Sequence, residues 1–252
     1  MPSQGAGFKD HFSPIASAYA AHRPTYPPAV VDYLADQLTR REAAWDAGCG
    51  SGQLSTLLPA RFARVIATDP SADQIAQARA HPGVEFRQAS AEASGLEAGS
   101  VDLAVAAQAA HWFDLPRYYA EVRRVVRPGG LVALLAYGVV HVDRDLSASV
   151  DRFYWQTLAG FWPQERRIVE EGYRSLPFPF PELHAPAFAM TATWSLAQLL
   201  GYVRTWSAVQ AIERERGGEA YAGFARALTA AWGDPDSRRA VRWDLALRLG
   251  RV

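Results

Sequence analysis

The chain has one cysteine in 252 residues, Cys49, which excludes an intramolecular disulfide, a zinc cluster and any multi-thiol mechanism. It has no excess of either charge. The 26 basic and 26 acidic residues give a formal net charge of +0, and the arginine pairs at 40 and 41, 123 and 124, 166 and 167, and 238 and 239 are dispersed. A nucleic-acid or anionic-membrane surface requires a basic excess or a basic face, so no nucleic-acid and no membrane partner is expected. Lys9 and His11 lie near the start with no apolar signal region after them, and no run approaches the roughly 20 apolar residues of a membrane span. A soluble cytoplasmic protein is the expectation. No metal site, internal repeat or low-complexity tract is evident. What the chain does have is apolar residues, 49% against 21% charged, enough for a sizeable core in one elaborated domain or two small ones.

The segment Trp45-Asp46-Ala47-Gly48-Cys49-Gly50-Ser51-Gly52-Gln53 reads as a short apolar strand that breaks into a glycine-rich turn and opens a helix from Gln53. Glycines at alternate positions let the backbone approach a ligand closely, and a helix start directs unpaired N–H groups at it. Gln53 stands where the dinucleotide fingerprint needs glycine, so the spacing is G-x-G-x-G and a pyrophosphate is disfavoured. Downstream, apolar runs at 44–47, 63–68, 84–87, 101–107 and 131–137 predict strands. Helices are predicted over 53–60, 71–80 and 114–126, after one opened by Ser13-Pro14 and another by Pro27-Pro28. Strands alternating with helices imply an α/β, doubly wound, mostly parallel sheet with ligands beyond the carboxyl ends of its strands.

Asp69, about 20 residues past the glycine turn, is placed to accept hydrogen bonds from both hydroxyls of a ribose. Asp69 or Ser71 capping the next helix is the structural alternative. Ser90-Ala91-Glu92 after the third strand sets a backbone N–H and a carboxylate near the same ligand, or is a solvated loop.

In order along the chain stand Phe12-Ser13 to Tyr19, Arg23-Pro24-Thr25-Tyr26-Pro27, the glycine segment from Asp46 to Gln53, and Asp69-Pro70-Ser71. Ala91-Glu92, Val101-Asp102-Leu103, Gln108-Ala109-Ala110-His111-Trp112-Phe113 and Arg127-Pro128-Gly129-Gly130 complete the set. Together they resemble the class I S-adenosylmethionine-dependent methyltransferases, most closely the small-molecule branch that includes trans-aconitate and quinone-biosynthesis methyltransferases. The resemblance implies a Rossmann-like sheet of seven strands in the order 3-2-1-4-5-7-6 with the last antiparallel, strands six and seven falling within 185–194 and 239–249. It implies S-adenosyl-L-methionine as cofactor and S-adenosyl-L-homocysteine as product. Gly48, Gly50 and Gly52 would face the methionine moiety, Asp46 its amino group, and Tyr19 and Arg23 its carboxylate. Asp69 would take the ribose, Pro70 and Ser71 would flank the adenine, Ala91 and Glu92 would meet its edge, and Gln108 would belong to the same cofactor shell.

His111 follows the fourth strand and is the candidate catalytic residue, a general base or substrate partner, with a structural imidazole as the alternative. Beyond Val139 the rhythm of strand and helix breaks into an aromatic-rich stretch, and six of the eight tryptophans lie past residue 150. The division expected is a helical cap at 1–40, a core at 41–138 and 186–252, and a substrate lid at 139–185. Trp112, Tyr137, Trp162, Arg166, Arg167 and Tyr173, with His111, are the expected substrate residues, the arginines favouring an anionic acceptor. The function expected is direct methyl transfer to a small-molecule acceptor. A nicotinamide-dependent oxidoreductase is the first alternative. A non-catalytic S-adenosylmethionine-binding protein whose lid forms an oligomer interface is the second, and a homodimer is left open.

Overall fold

The computed structural model describes residues 24–252. Tyr19, Arg23 and the cap as far as residue 23 lie outside the described residues. After helix α1 (Pro28–Asp36) come strands β1 (Ala43–Ala47), β2 (Arg64–Asp69), β3 (Val84–Gln88), β4 (Val101–Ala107) and β5 (Val126–Tyr137), with α2 (Ala72–Ala76) after β2 and α3 (Leu115–Val125) before β5. The second half carries α4 (Arg144–Arg152), continued by a π-helical turn at Phe153–Thr157, then α5 (Arg166–Glu170), β6 (Glu182–Leu183) and β7 (Phe188–Ser195). Helices α6 (Leu196–Arg204), α7 (Ser207–Arg216) and α8 (Glu219–Trp232) lead to β8 (Arg238–Arg251).

These strands form one sheet in the order β3-β2-β1-β4-β5-β8-β6, with β7 also paired to β8. Strands β1 to β5 pair in parallel, and β8 runs antiparallel to β5. This is the order expected, with one addition. The two-residue β6 pairs with Leu249 and Gly250, and β7 pairs with Arg238 to Leu245, so the two divide the outer edge of β8 and the described strands number eight rather than seven. β1 is buried at all five positions, as a central parallel strand covered on both faces must be.

Local chemistry moved several boundaries. The helix expected over 53–60 is a succession of turns ending in a 3-10 turn at Leu58–Ala60. Its backbone bonds mix three- and four-residue spans, as in Leu57 N–H to Leu54 O (2.9 Å) and Thr56 N–H to Gly52 O (3.1 Å), and Pro59 supplies no donor. α2 starts where Ser71 Oγ accepts the Gln74 N–H at 3.3 Å, and it stops four residues short of the 80 expected, ahead of Pro82-Gly83. β5 starts at Val126 instead of 131. Gly129 (φ +80°) lets the chain turn through an irregularity in the ladder, and a Cβ on Gly130 would lie 2.7 Å from the Asp102 carbonyl.

Two cores flank the sheet. On one face α1, α4, α6, α7 and α8 bury Leu34, Leu146, Leu199, Val209 and Leu228 against Leu103, Ala133 and Leu135. On the other, α3, α5 and the segment 176–180 cover Trp45, Ile66, Ala104 and Val132. Buried polar rings find partners: Trp45 Nε1 donates to Thr68 Oγ1 (2.9 Å) and Trp243 Nε1 to Tyr202 Oη (3.0 Å). No helix of the described residues is long and apolar enough to cross a membrane.

The edge of the sheet away from the glycine turn depends on one carboxylate. Asp102, 3% exposed, accepts the Glu42 N–H (2.7 Å) and Ala43 N–H (3.1 Å) through Oδ2, and Arg127 Nη1 donates to its Oδ1 at 2.8 Å. Asp102→Ala leaves two N–H groups and a guanidinium without their acceptor, a loss of about 2–4 kcal/mol. The melting temperature should fall by roughly 5–15 °C, measured by circular dichroism. An unchanged melting temperature would show that the three contacts carry little stability.

Candidate active site

A single cavity of about 810 Å³ opens at the carboxyl ends of β1, β2 and β4 and extends under residues 162–169 and 202–207. Of the residues singled out in the sequence, Asp46, Gly48, Gly50, Asp69, Pro70, Ala91, Glu92, Gln108, His111, Trp112, Tyr137, Trp162 and Arg166 line it. Gly52, Ser71, Arg167 and Tyr173 do not, each for an identifiable reason.

The glycine turn is held by Asp69. Asp69 Oδ2 accepts the Gly50 N–H and Oδ1 accepts the Ser71 N–H, both at 2.9 Å, so one side chain at the end of β2 binds two loops together. Ser71 therefore serves as the cap of α2 and a partner of Asp69, behind the wall of the cavity. Gly48 and Gly50 have φ of +69° and +54°, a region open to glycine at little cost. A Cβ on Gly48 would lie 2.6 Å from that of Ala109, whereas one on Gly50 meets only Gln74 Oε1 at 3.7 Å and would stand in the cavity. Gly52 (φ +85°) is required for packing instead: a Cβ there would lie 2.6 Å from the Phe86 ring.

Asp46 lies at the floor, 1% exposed. Ser55 Oγ donates to its Oδ2 at 2.6 Å, while Oδ1 has no hydrogen-bond partner among the described residues. Burial lifts its pKa from 3.8 to about 7, with the Asp69 charge adding to the rise and the Ser55 bond opposing it. Burial, followed by the charges of Asp46 and Asp69, holds the neighbouring Cys49 thiol well above its ordinary range. Glu92 Oε1 accepts the Asp114 N–H at 3.0 Å, tying the loop after β3 to the start of α3.

The end of β4 is strained. Gln108 has φ +54°, unusual for a residue with a side chain. Its Nε2 donates to Tyr137 O at 2.9 Å, and its Oε1 accepts the Tyr137 N–H at 3.3 Å. The amide thus continues the β4–β5 ladder beyond the last backbone pair and fixes where the next residues go. Behind the following 3-10 turn (Ala110–Trp112), Tyr173 is fully buried, also at positive φ (+63°), with its hydroxyl 2.8 Å from His111 Nδ1. Which of the two donates in this contact is set by the His111 tautomer. Burial raises the Tyr173 pKa far above the usual phenol range, which keeps its hydroxyl protonated. Tyr173 acts on the cavity through His111 rather than as part of its wall.

The two arginines expected in the lid separate. Arg167 is 84% exposed and pairs with Glu171 at 2.8 Å, which removes it from the expected substrate residues. Arg166 lines the cavity: Nε donates to Tyr154 Oη at 2.6 Å and lies 3.5 Å from Glu170 Oε1, and the guanidinium sits 5.2 Å from the Trp162 ring centroid. Burial works against its charge, but Tyr154, Tyr202 and Glu170 outweigh it and hold the pKa above its ordinary value. Tyr26, Gln74, Tyr202, Thr205, Trp206 and Ser207 also line the cavity and were missed. The last four come from the junction of α6 and α7, where no sequence motif marks a site. Among the described residues no group of three or more histidine, cysteine, aspartate or glutamate side chains is placed to hold a metal.

Residues 45–134 match a family model described as a methyltransferase domain. A Dictyostelium discoideum protein described as a methyltransferase is 34% identical over 206 residues, 79% of this chain and 78% of that protein. A solved structure described as a type II methyltransferase from Anaeromyxobacter dehalogenans superposes with a TM-score of 0.87 at 50% identity, over 91% of this chain and 97% of the other. An uncharacterized Mycobacterium bovis methyltransferase is 39% identical over 125 residues, and there the match spans about half of each protein. The matched family segment begins at the strand that feeds the glycine turn and contains Asp46, Asp69, Glu92 and His111, and the two longer matches reach well beyond it. The nicotinamide alternative is thereby set aside, and the chain belongs to the class I S-adenosylmethionine-dependent methyltransferases.

Proposed function

We propose that this methyltransferase acts on a small organic molecule enclosed between the His111 loop and the lid, by direct displacement at the methyl carbon. One observation carries the reading. One cavity is lined both by polar groups (the glycine turn, Asp69 and Glu92, its polar half) and by aromatic ones (Tyr137, Trp112, Trp162 and Trp206, its aromatic half), with His111 in the same lining. Its volume falls within the ~300–1,000 Å³ range usual for small-molecule sites, and the balanced charge offers no surface for a nucleic acid.

The polar half fits S-adenosylmethionine by the chemistry of its groups. The unpartnered Asp46 Oδ1 suits an ammonium, Asp69 retains acceptor capacity for ribose hydroxyls beside the two backbone bonds it makes, and the backbone at Gly50 admits close approach. Pro70, Ala91 and Glu92 are assigned to the adenine. When bound, the cofactor supplies an electrophilic methyl carbon attached to a sulfonium. The chain's own contribution is alignment and exclusion of water by the aromatic half. His111 lines the same cavity and is placed to hydrogen-bond an oxygen-bearing acceptor, as partner or general base.

Asp69→Ala removes the brace of the glycine turn together with the ribose acceptor. Affinity for S-adenosylhomocysteine should fall by roughly 2–4 kcal/mol, tens to hundreds of fold, in calorimetry on a folded variant. Near-unchanged affinity would refute the cofactor placement.

A second outcome follows from the Asp46 pKa of about 7 against an ordinary 3.8. The folded state holds this proton more tightly than the unfolded one, so Asp46 lowers stability as pH rises from about 4 to about 7. A bound ammonium favours the ionised form. Binding of S-adenosylhomocysteine near pH 6 should release close to one proton, read from calorimetry in buffers of different ionisation enthalpy, and almost none at about pH 8. Asp46→Asn should abolish the release. The same release from that variant would place the titrating group elsewhere.

A further inference from the structure

We propose that the methyl acceptor carries a carboxylate and that Arg166 is the residue that selects it, an inference resting on the methyl-transfer reading above. Arg166 is a cation in the wall of the aromatic half of the cavity, and its environment fixes one edge of it only. Nε donates to Tyr154 Oη (2.6 Å), and Glu170, which lies 3.5 Å from Nε, also accepts from the Tyr154 hydroxyl. The two terminal nitrogens, Nη1 and Nη2, have no hydrogen-bond acceptor among the described residues. Trp162 and Tyr154 offer their ring faces at 5.2 and 5.6 Å, which steadies the charge without using those donors.

A guanidinium held at Nε with both terminal nitrogens uncommitted matches the two oxygens of a carboxylate, and its planar fork is already oriented. The neighbouring groups point the same way. Arg166 and His111 line the same cavity, with the Tyr173 hydroxyl against His111 Nδ1 behind its wall. Trp162, Trp206 and Val169 line the same stretch, which suits an apolar body behind the charged group. Ion pairing with Arg166 lowers the nucleophilicity of the carboxylate, which makes it the anchor and leaves the methyl to another atom of the acceptor. Arg167, one residue on, is solvated and paired with Glu171 and serves as an internal control.

The test uses indole-3-acetate against indole-3-acetamide, and 4-hydroxybenzoate against 4-hydroxybenzamide, titrated calorimetrically into the whole chain saturated with S-adenosylhomocysteine. At least one acid should bind about tenfold or more tightly than its amide. Arg166→Met should erase that preference while the affinity for S-adenosylhomocysteine stays as in the parent. Arg166→Lys, which keeps the charge but loses the fork, should retain part of it and stands in if the Met variant fails to fold. Arg167→Met should behave as the parent. Equal binding of acid and amide, binding of neither acid, or a preference that survives Arg166→Met overturns the proposal. A protein that binds no S-adenosylhomocysteine fails the methyl-transfer reading instead, and the acid and amide comparison on the ligand-free chain still decides whether Arg166 selects a carboxylate.

Discussion

The site depends on a carboxylate at the end of β2 reaching the backbone of the turn that follows β1. Because β1 and β2 are parallel neighbours, with Asp46 paired in register to Ala67 and Ala47 to Thr68, their carboxyl ends emerge side by side. Asp69 is then within reach of Gly50 N–H as well as Ser71 N–H, and it holds the glycine turn in a shape that its left-handed residues could not keep alone. The same proximity sets the acidity of the floor. Asp46 shares its burial with the nearby Asp69 charge, and its carboxyl is poised near neutrality.

The end of the cavity around His111 and Arg166 is positioned by the antiparallel strand rather than by the parallel ones. Arg248 on β8 donates from Nη1 to the carbonyls of Tyr173 (2.9 Å) and Leu176 (2.7 Å), and its Nε pairs with Glu182 at 2.9 Å. The chain after α5 is thereby fastened to the sheet, and the left-handed Tyr173 is held where its hydroxyl meets His111. On the opposite face, α4 and α8 lock together through the stacked rings of Phe153 and Phe224, 4.3 Å between centroids. Tyr154, the next residue, carries the hydroxyl that holds Arg166. The π-helical turn beginning at Phe153 shifts the helix register at that point, and such turns recur where function needs a side chain re-aimed.

The glycine turn, Asp69, the parallel strands and the place of His111 were readable from residue types alone, because each follows from local chemistry: apolar runs, φ freedom, and a carboxylate at a strand end. The family resemblance supplied the strand order, since periodicity carries no information on which strand lies beside which. Tertiary contacts decided the rest. Pro59, together with the bracing of the glycine turn by Asp69, replaced a regular helix with turns at 53–60. Phe86 packing made Gly52 a core position, and the outer edge of β8 proved long enough for both β6 and β7. Adjacent arginines in a sequence are equivalent, but successive residues on a helix point about 100° apart. Only the rotation of α5 against Tyr154 and Trp162 put Arg166 in the cavity and Arg167 in water. Residue identity determined which chemistry was available, and packing determined which copy of it faces the cavity.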